Sequence, residues 1–286
     1  MKTVLTGAAA LALCAGTAAA QVDGVGIPAS GLELLAVQTS ATEYGNATGG
    51  GQDSAGGSEL NAMWGSISGG TLSLSITGNI EGNFNKVWIF LDGVAGGENT
   101  LAGDNNDGGF GEINNLGYTF DAGFEPDHGI RIEVGGGFLG IRAFDLIDNT
   151  GGDVWIDFAG PGALPLVGAA GGFGVTTGWD NSNVDGVDGS SAAGALTATK
   201  GWEFEIDMAT FFGSVPSEVK VMAIITSGDG NNSSSQVLPG IENGGGNLGG
   251  GVDFTQVAGT QYATIPAPGS LALLGLGGLA AARRRR

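Results

Sequence analysis

The chain has 286 residues, of which 42% are hydrophobic and only 14% charged, with 58 glycines and a single cysteine. That length accommodates one large all-β domain; the glycine content argues against a helical protein, since each glycine costs about 1 kcal/mol relative to alanine in a helix, and the apolar content excludes wholesale disorder. The net charge of −19 understates an asymmetry, because Lys2 and Arg283 to Arg286 supply five of the ten basic residues, leaving five against 29 acidic ones in the stretch between; such a body repels nucleic acid and anionic lipid and attracts divalent cations or basic partners.

At the N-terminus Lys2 precedes an apolar run, Val4 to Leu13, and small residues lead to Ala18, Ala19 and Ala20 before Gln21, the layout of a secretory signal peptide. Cleavage by signal peptidase is expected between Ala20 and Gln21. Cys14 raises the question of a lipoprotein signal, but the leucine before it is larger than lipid attachment usually accepts. The mature chain then has no cysteine, and so neither disulfide nor thiol chemistry.

Short runs of alternating polarity follow, separated by Gly/Asn/Asp/Ser clusters, the signature of strands. Thr71–Thr77 puts Leu72, Leu74 and Ile76 on one face, whereas Lys86–Asp92 is more uniformly apolar and predicts a central strand buried on both sides. Ile130–Val134 and Trp202–Met208 alternate again, Val219–Thr226 is a further buried run, and Met208 to Phe212 is compatible with one helical turn. The sum is about ten strands and a two-sheet sandwich.

Oxygen-rich loops are the main chemical lead. Asp104 and Asp107 fall in one loop, Asp180, Asp185 and Asp188 in a second, and Asp229 to Asn232 form a third; clustered oxygens are what calcium takes, although no loop has the twelve-residue calcium pattern and Asn, Asp and Gly are also ordinary turn residues. Glu203, Glu205 and Asp207 alternate along one strand, at a spacing that would suit two hydrolytic carboxylates but equally suits a solvated sheet face. His128 is the only histidine, which excludes a multi-histidine metal centre; beside Pro126 and Asp127 it reads as a turn residue. Of the five tryptophans, Trp64, Trp88, Trp155 and Trp202 lie in expected strands, and Trp179, in a polar stretch, is the candidate ligand contact. The glycine runs lack a strand-to-helix phosphate pattern and read as loops.

The C-terminus carries a second address. Ile265 to Gly269 leads into the apolar run Ser270 to Ala282 and then Arg283, Arg284, Arg285 and Arg286. As a helix, Pro268 to Ala282 spans about 22 Å against a roughly 30 Å hydrocarbon core, and the terminal arginines favour a cytoplasmic end, which puts the upstream body outside. The Pro266-Ala267-Pro268 motif, short helix and arginine cluster together resemble the PEP-CTERM sorting tail, with Pro-Ala-Pro in place of Pro-Glu-Pro. The resemblance implies processing near the prolines by an exosortase-type sorting protease of a Gram-negative bacterium that makes exopolysaccharide. Phrases in the body, among them Gly57 to Ala62, Asn83 to Asp92, Thr119 to Asp127, Gly201 to Ile206 and Gln236 to Gly240, resemble a group of exported planctomycete-type proteins with this tail, which implies an extracellular sandwich and no established activity.

The expected fold is therefore all-β: a jelly-roll-like β-sandwich over residues 21–264, between an N-terminal signal peptide (1–20) and a C-terminal short transmembrane sorting helix with its proline and arginine motifs (265–286). The expected function is that of a non-enzymatic surface protein, held transiently in the inner membrane and then associated with the envelope or an exopolysaccharide matrix, with no cofactor unless calcium. The alternatives are a carbohydrate- or calcium-binding module and, third, a secreted hydrolase.

Overall fold

The computed structural model describes residues 22–29, 31–44, 57–157, 166–168 and 172–268. Ala20, Gln21, the apolar tail segment and Arg283 to Arg286 lie outside these residues. The described chain is nearly all β, with 45% strand and 7% helix. Its strands are β1 (Glu33–Val37), β2 (Glu59–Ser68), β3 (Thr71–Asn79), β4 (Asn83–Asp92), β5 (His128–Gly135), β6 (Phe138–Asp145), β7 (Thr150–Asp157), β8 (Leu166–Gly168), β9 (Val175–Trp179), β10 (Gly201–Asp207), β11 (Glu218–Thr226), β12 (Ser233–Leu238) and β13 (Ala263–Pro266).

Two antiparallel sheets result, one in the order β1-β2-β3-β10-β9-β8 and the other β12-β11-β4-β5-β6-β7, with β13 added on β11. The chain lays β1 to β3 in the first sheet, β4 to β7 in the second, then returns so that β10 pairs with β3 and β11 with β4. Two hairpins fix register. Gly69 and Gly70 link β2 to β3, and Gly136 and Gly137 link β5 to β6, all four with positive φ (60°, 86°, 57° and 83°); this two-residue turn needs left-handed backbone at both positions, which glycine adopts without a Cβ clash.

Alternation buries Leu72, Leu74 and Ile76 of β3 with Phe204 and Ile206 of β10 against Val87, Ile89, Leu91, Ile130 and Ile132 of the opposite sheet. The Val87–Leu91 stretch of β4 is uniformly apolar because it is covered on both sides. Its Trp88 and Phe90 point away from the sandwich into a second core, formed with Tyr118, Phe120, Phe124 and Phe254 from the loops that cover the second sheet. Rings there meet edge to face, Phe90 on Phe120 at 5.0 Å and Tyr118 on Phe254 at 5.2 Å. The Trp88 indole N–H donates to the Thr226 hydroxyl at 2.9 Å with both residues fully buried. Thr226→Val keeps the shape and orphans that donor, so a loss of about 1–3 kcal/mol is expected in urea denaturation; unchanged stability would show that the indole finds another acceptor.

The expected helical turn is present as α1 (Met208–Phe211), capped by Asp207, whose carboxylate accepts the Thr210 N–H at 2.8 Å. Among the described residues no helix is long and apolar enough to cross a membrane.

Candidate functional site

The acidic loops do not converge. Asp104 is exposed, and its backbone carbonyl accepts the Asn149 amide. Asp107, in the same loop, is fully buried: it accepts the N–H groups of Gly109, Gly111 and Ile113 and pairs with Arg131 Nη1 at 3.2 Å. Calcium ligation by Asp107 is therefore corrected to a structural role, its oxygens being taken by donors. Asp180 accepts the N–H and hydroxyl of Ser182 and lies 3.4 Å from Lys200 Nζ. Asp188 accepts from Ser190 and Ser191, and the Ser190 hydroxyl and N–H hold its carboxyl below the usual range. Asp185 is exposed and contributes its carbonyl to the Asn183 amide. The Asp107, Asp180 and Asp188 carboxylates bind donors within their own loops, and among the described residues no three His, Cys, Asp or Glu side chains gather at metal-ligand spacing.

Trp179 is not a loop residue. It ends β9, lies opposite Trp202 of β10 and is fully buried in the core between the sheets, so the ligand-contact reading is corrected. The polar residues after it misled because the strand ends there. His128 opens β5 instead of standing in a turn, and it is buried between Phe211 and Phe212. Its Nδ1 is 2.7 Å from Asp127 Oδ1 and its Nε2 is 3.5 Å from Asp145 Oδ2. Both ring nitrogens face carboxylates, which leaves neither for a nucleophile.

Glu203, Glu205 and Asp207 share a face, but the solvated-face reading fails at Glu203. The N-terminal segment folds over that end, and Glu203 Oε2 accepts the N–H groups of Asp23 and Gly24 at 3.0 and 2.8 Å. Burial raises the Glu203 carboxyl above its ordinary pKa, partly offset by those backbone donors. The body thus uses residues immediately after the expected cleavage at Gln21 as structure.

Charge pairing beneath the loops was not legible in the sequence. Lys86 and Arg131, almost fully buried, meet Glu112 and Glu133: Lys86 Nζ is 3.3 Å from Glu112 and 3.1 Å from Glu133, and Arg131 is 3.0 Å from Glu112 and 2.7 Å from Glu133. Arg142 extends the network to Glu133 and Asp153. Gly109 lies directly on Arg131, where a Cβ would come within 1.7 Å of Nη1, so the network clamps the 104–116 loop onto the second sheet. The other two basic residues of the body pair as well, Lys200 with Asp180 and Lys220 with Asp92 at 3.0 Å. No cation of the body is left for a partner, and the unpaired charge it presents is acidic. An open depression of about 370 Å³ beside Lys220 is lined by Asp92, Gly93, Val94, Gly123 and Glu125; its charged centre is closed on itself, since Asp92 takes both the Lys220 ammonium and the Glu125 N–H.

A second buried group also escaped the sequence. Glu59 of β2 stands directly opposite Asn79 of β3, both without exposure. Asn79 Nδ2 donates to the carbonyls of Asn181 and Asn183, which fixes its amide orientation, and Glu59 Oε1 accepts from Asn61. Glu59 Oε2 and Asn79 Oδ1 are then two buried acceptors without a donor. Burial pushes the Glu59 carboxyl up to about 8, against the opposing effect of the Asn61 and Asn183 amides.

The C-terminal segment is the one place where sequence motif and fold meet. β13 pairs with β11, Val219 opposite Ile265 and Glu218 opposite Pro266, and the Ala267 N–H donates to the Ser217 carbonyl at 2.8 Å. Ile265 is 2% exposed and seats against Gly65 of β2 and beside Leu35 of β1, tying the second sheet to the first. Pro268 is exposed. Ile265→Val, which removes one methylene from this seat, should lower stability by about 1 kcal/mol, read as a shift in the urea midpoint; no shift would mean that β13 is frayed in solution.

Fold and segment together define an antiparallel β-sandwich whose last strand runs into a processing segment. Residues 264–286 match the PEP-CTERM protein-sorting motif, which implies export and sorting to the cell surface with exosortase processing. No match to the chain was found among curated proteins or solved structures.

Proposed function

We propose that the protein is a non-enzymatic component of the cell envelope or exopolysaccharide matrix. Signal peptidase would release it at Gln21, and an exosortase-type protease would then pass it outward from a transient stay in the inner membrane of a Gram-negative cell. The observation that carries the reading is the continuity of the sorting motif with an acidic body whose five basic residues are all paired internally. Such a surface disfavours nucleic acid and leaves hydrogen bonding, or cation-bridged contact, as its means of meeting a polysaccharide. Two of the three carboxylates that alternate along β10 support the same reading, since Glu203 and Asp207 are engaged in holding the fold, as is the lone His128.

Fractionation of the native host tests this. The protein should be found in the surface and matrix fractions, should be retained in the inner membrane when the sorting protease is deleted, and should be shed to the medium when exopolysaccharide synthesis is deleted. Equal retention on the surface of polysaccharide-free cells would overturn matrix association, and indifference to loss of the protease would overturn sorting.

A further inference from the structure

We propose that β13 sets the processing boundary: the sorting cut falls C-terminal to Ala267, and the released protein keeps Ala263–Pro266 as a permanent strand of its second sheet. This rests on the sorting reading above and adds where in the motif the protease is able to act.

The sorting motif begins at residue 264, inside β13 (Ala263–Pro266), so three residues serve both the address and the fold. A protease binds its substrate extended and unpaired, because the backbone around the scissile bond is held by strand-like hydrogen bonds to the enzyme. Across residues 263–267 that backbone is already committed. Ala263 to Pro266 pair with Glu218 to Val221, and the Ala267 N–H is held by Ser217.

Opening this ladder is not simple edge fraying, because Ile265 must leave the core. Its seat is close: a Cβ on Gly65 would come within 2.8 Å of Ile265 Cδ1 and 3.0 Å of Leu35 Cδ1, so a larger side chain at position 65 would push the isoleucine methyl from its place. The prolines then acquire a structural meaning. Pro266 sits at the last paired position, where a missing N–H is tolerated, and Pro268, which has no N–H to donate, cannot extend the ladder. The same Pro-Ala-Pro that marks the tail in the sequence ends the strand in the fold, and among the described residues Pro268 is the first exposed one beyond the Ala267 tie. The bonds open to a protease without unfolding of the body therefore lie C-terminal to Ala267.

The test is the C-terminus of the full-length protein recovered from its native host, read by intact mass and C-terminal peptide. A terminus at Ala267 or beyond, lacking Arg283 to Arg286, is expected. A terminus at Pro266 or upstream overturns the proposal and leaves the sorting reading standing, whereas a chain that keeps its arginines overturns both. Gly65→Val, which blocks the Ile265 seat, should increase termini upstream of Ala267 at least tenfold over the wild type; an unchanged distribution in exported Gly65→Val protein would show that β13 does not set the boundary. Should the variant fail to be exported, the wild-type terminus still decides.

Discussion

Arg131→Met is expected to destabilise the protein by about 3–5 kcal/mol, because one partner of a buried ion network is removed and the others stay behind. Arg131 is fully buried, with Asp107, Glu112 and Glu133 within 3.2 Å and its guanidinium 5.7 Å from the Trp88 ring centre. Methionine preserves much of the volume, so what is lost is the compensating charge: Asp107 and Glu133 are left in a low-dielectric setting with Lys86 and Arg142 as the remaining cations. Burial alone would raise the Glu133 carboxyl, but Arg131 and Lys86 outweigh it and hold it below the ordinary value. The stability it contributes is present above the unfolded carboxylate pKa and fades as pH falls through the depressed folded one. Urea denaturation at pH 7 measures the loss, and the gap between Arg131→Met and wild type should narrow in acid. A loss under about 1 kcal/mol at pH 7 would show that water reaches the network and that the 104–116 loop is held by other contacts.

Glu59→Gln has the opposite sign. Burial pushes the folded carboxyl up to about 8 from an ordinary value of 4.5, so between those values the folded state holds a proton that the unfolded state gives up. Its contribution is complete below about pH 4.5, shrinks as pH rises through the interval and is gone above about 8; the difference in pKa sets a ceiling of about 5 kcal/mol. Glu59 Oε2 and Asn79 Oδ1 are buried acceptors without a donor, so a proton on Oε2 removes the cost of burying a charge among them. Glutamine carries a permanent N–H₂ donor in the same shape, so the variant should lose this pH dependence and be more stable than wild type at pH 9, by several kcal/mol at most. Denaturation of both proteins between pH 5 and 9 decides the matter. Parallel profiles would mean that Glu59 is ionised when folded, and a wild-type gain specific to calcium at pH 9 would mean that a cation occupies the place of the proton.

Much of the fold was legible because strand burial leaves a period of two in the sequence, and the most apolar run marked its own place. Lys86–Asp92 predicted a strand covered on both faces, and β4 is flanked by β11 and β5 with a core on either side. Local chemistry also announced the turn at Met208 and the sorting tail, because a cap, a glycine pair or a proline acts through its immediate neighbours. The composition alone gave an acidic body.

What the sequence could not assign was the use of each acid. Asp107 and Asp104 look alike in one loop, yet the first is buried on Arg131 and the second faces water. Glu203 and Glu205 differ only in whether the N-terminal segment crosses above them, and Trp179 reads as a loop residue until Trp202 is seen opposite. These outcomes depend on partners such as Asp23 with Glu203 that lie 180 residues apart in the chain. Periodicity and propensity act over a few residues, whereas desolvation and charge pairing depend on which distant segments the sheets bring together. The sequence by itself therefore determined the all-β class, the most regular strands, the acidity and the address; tertiary packing decided which carboxylates are buried, paired or exposed, and placed the start of the sorting motif inside the last strand of the sandwich.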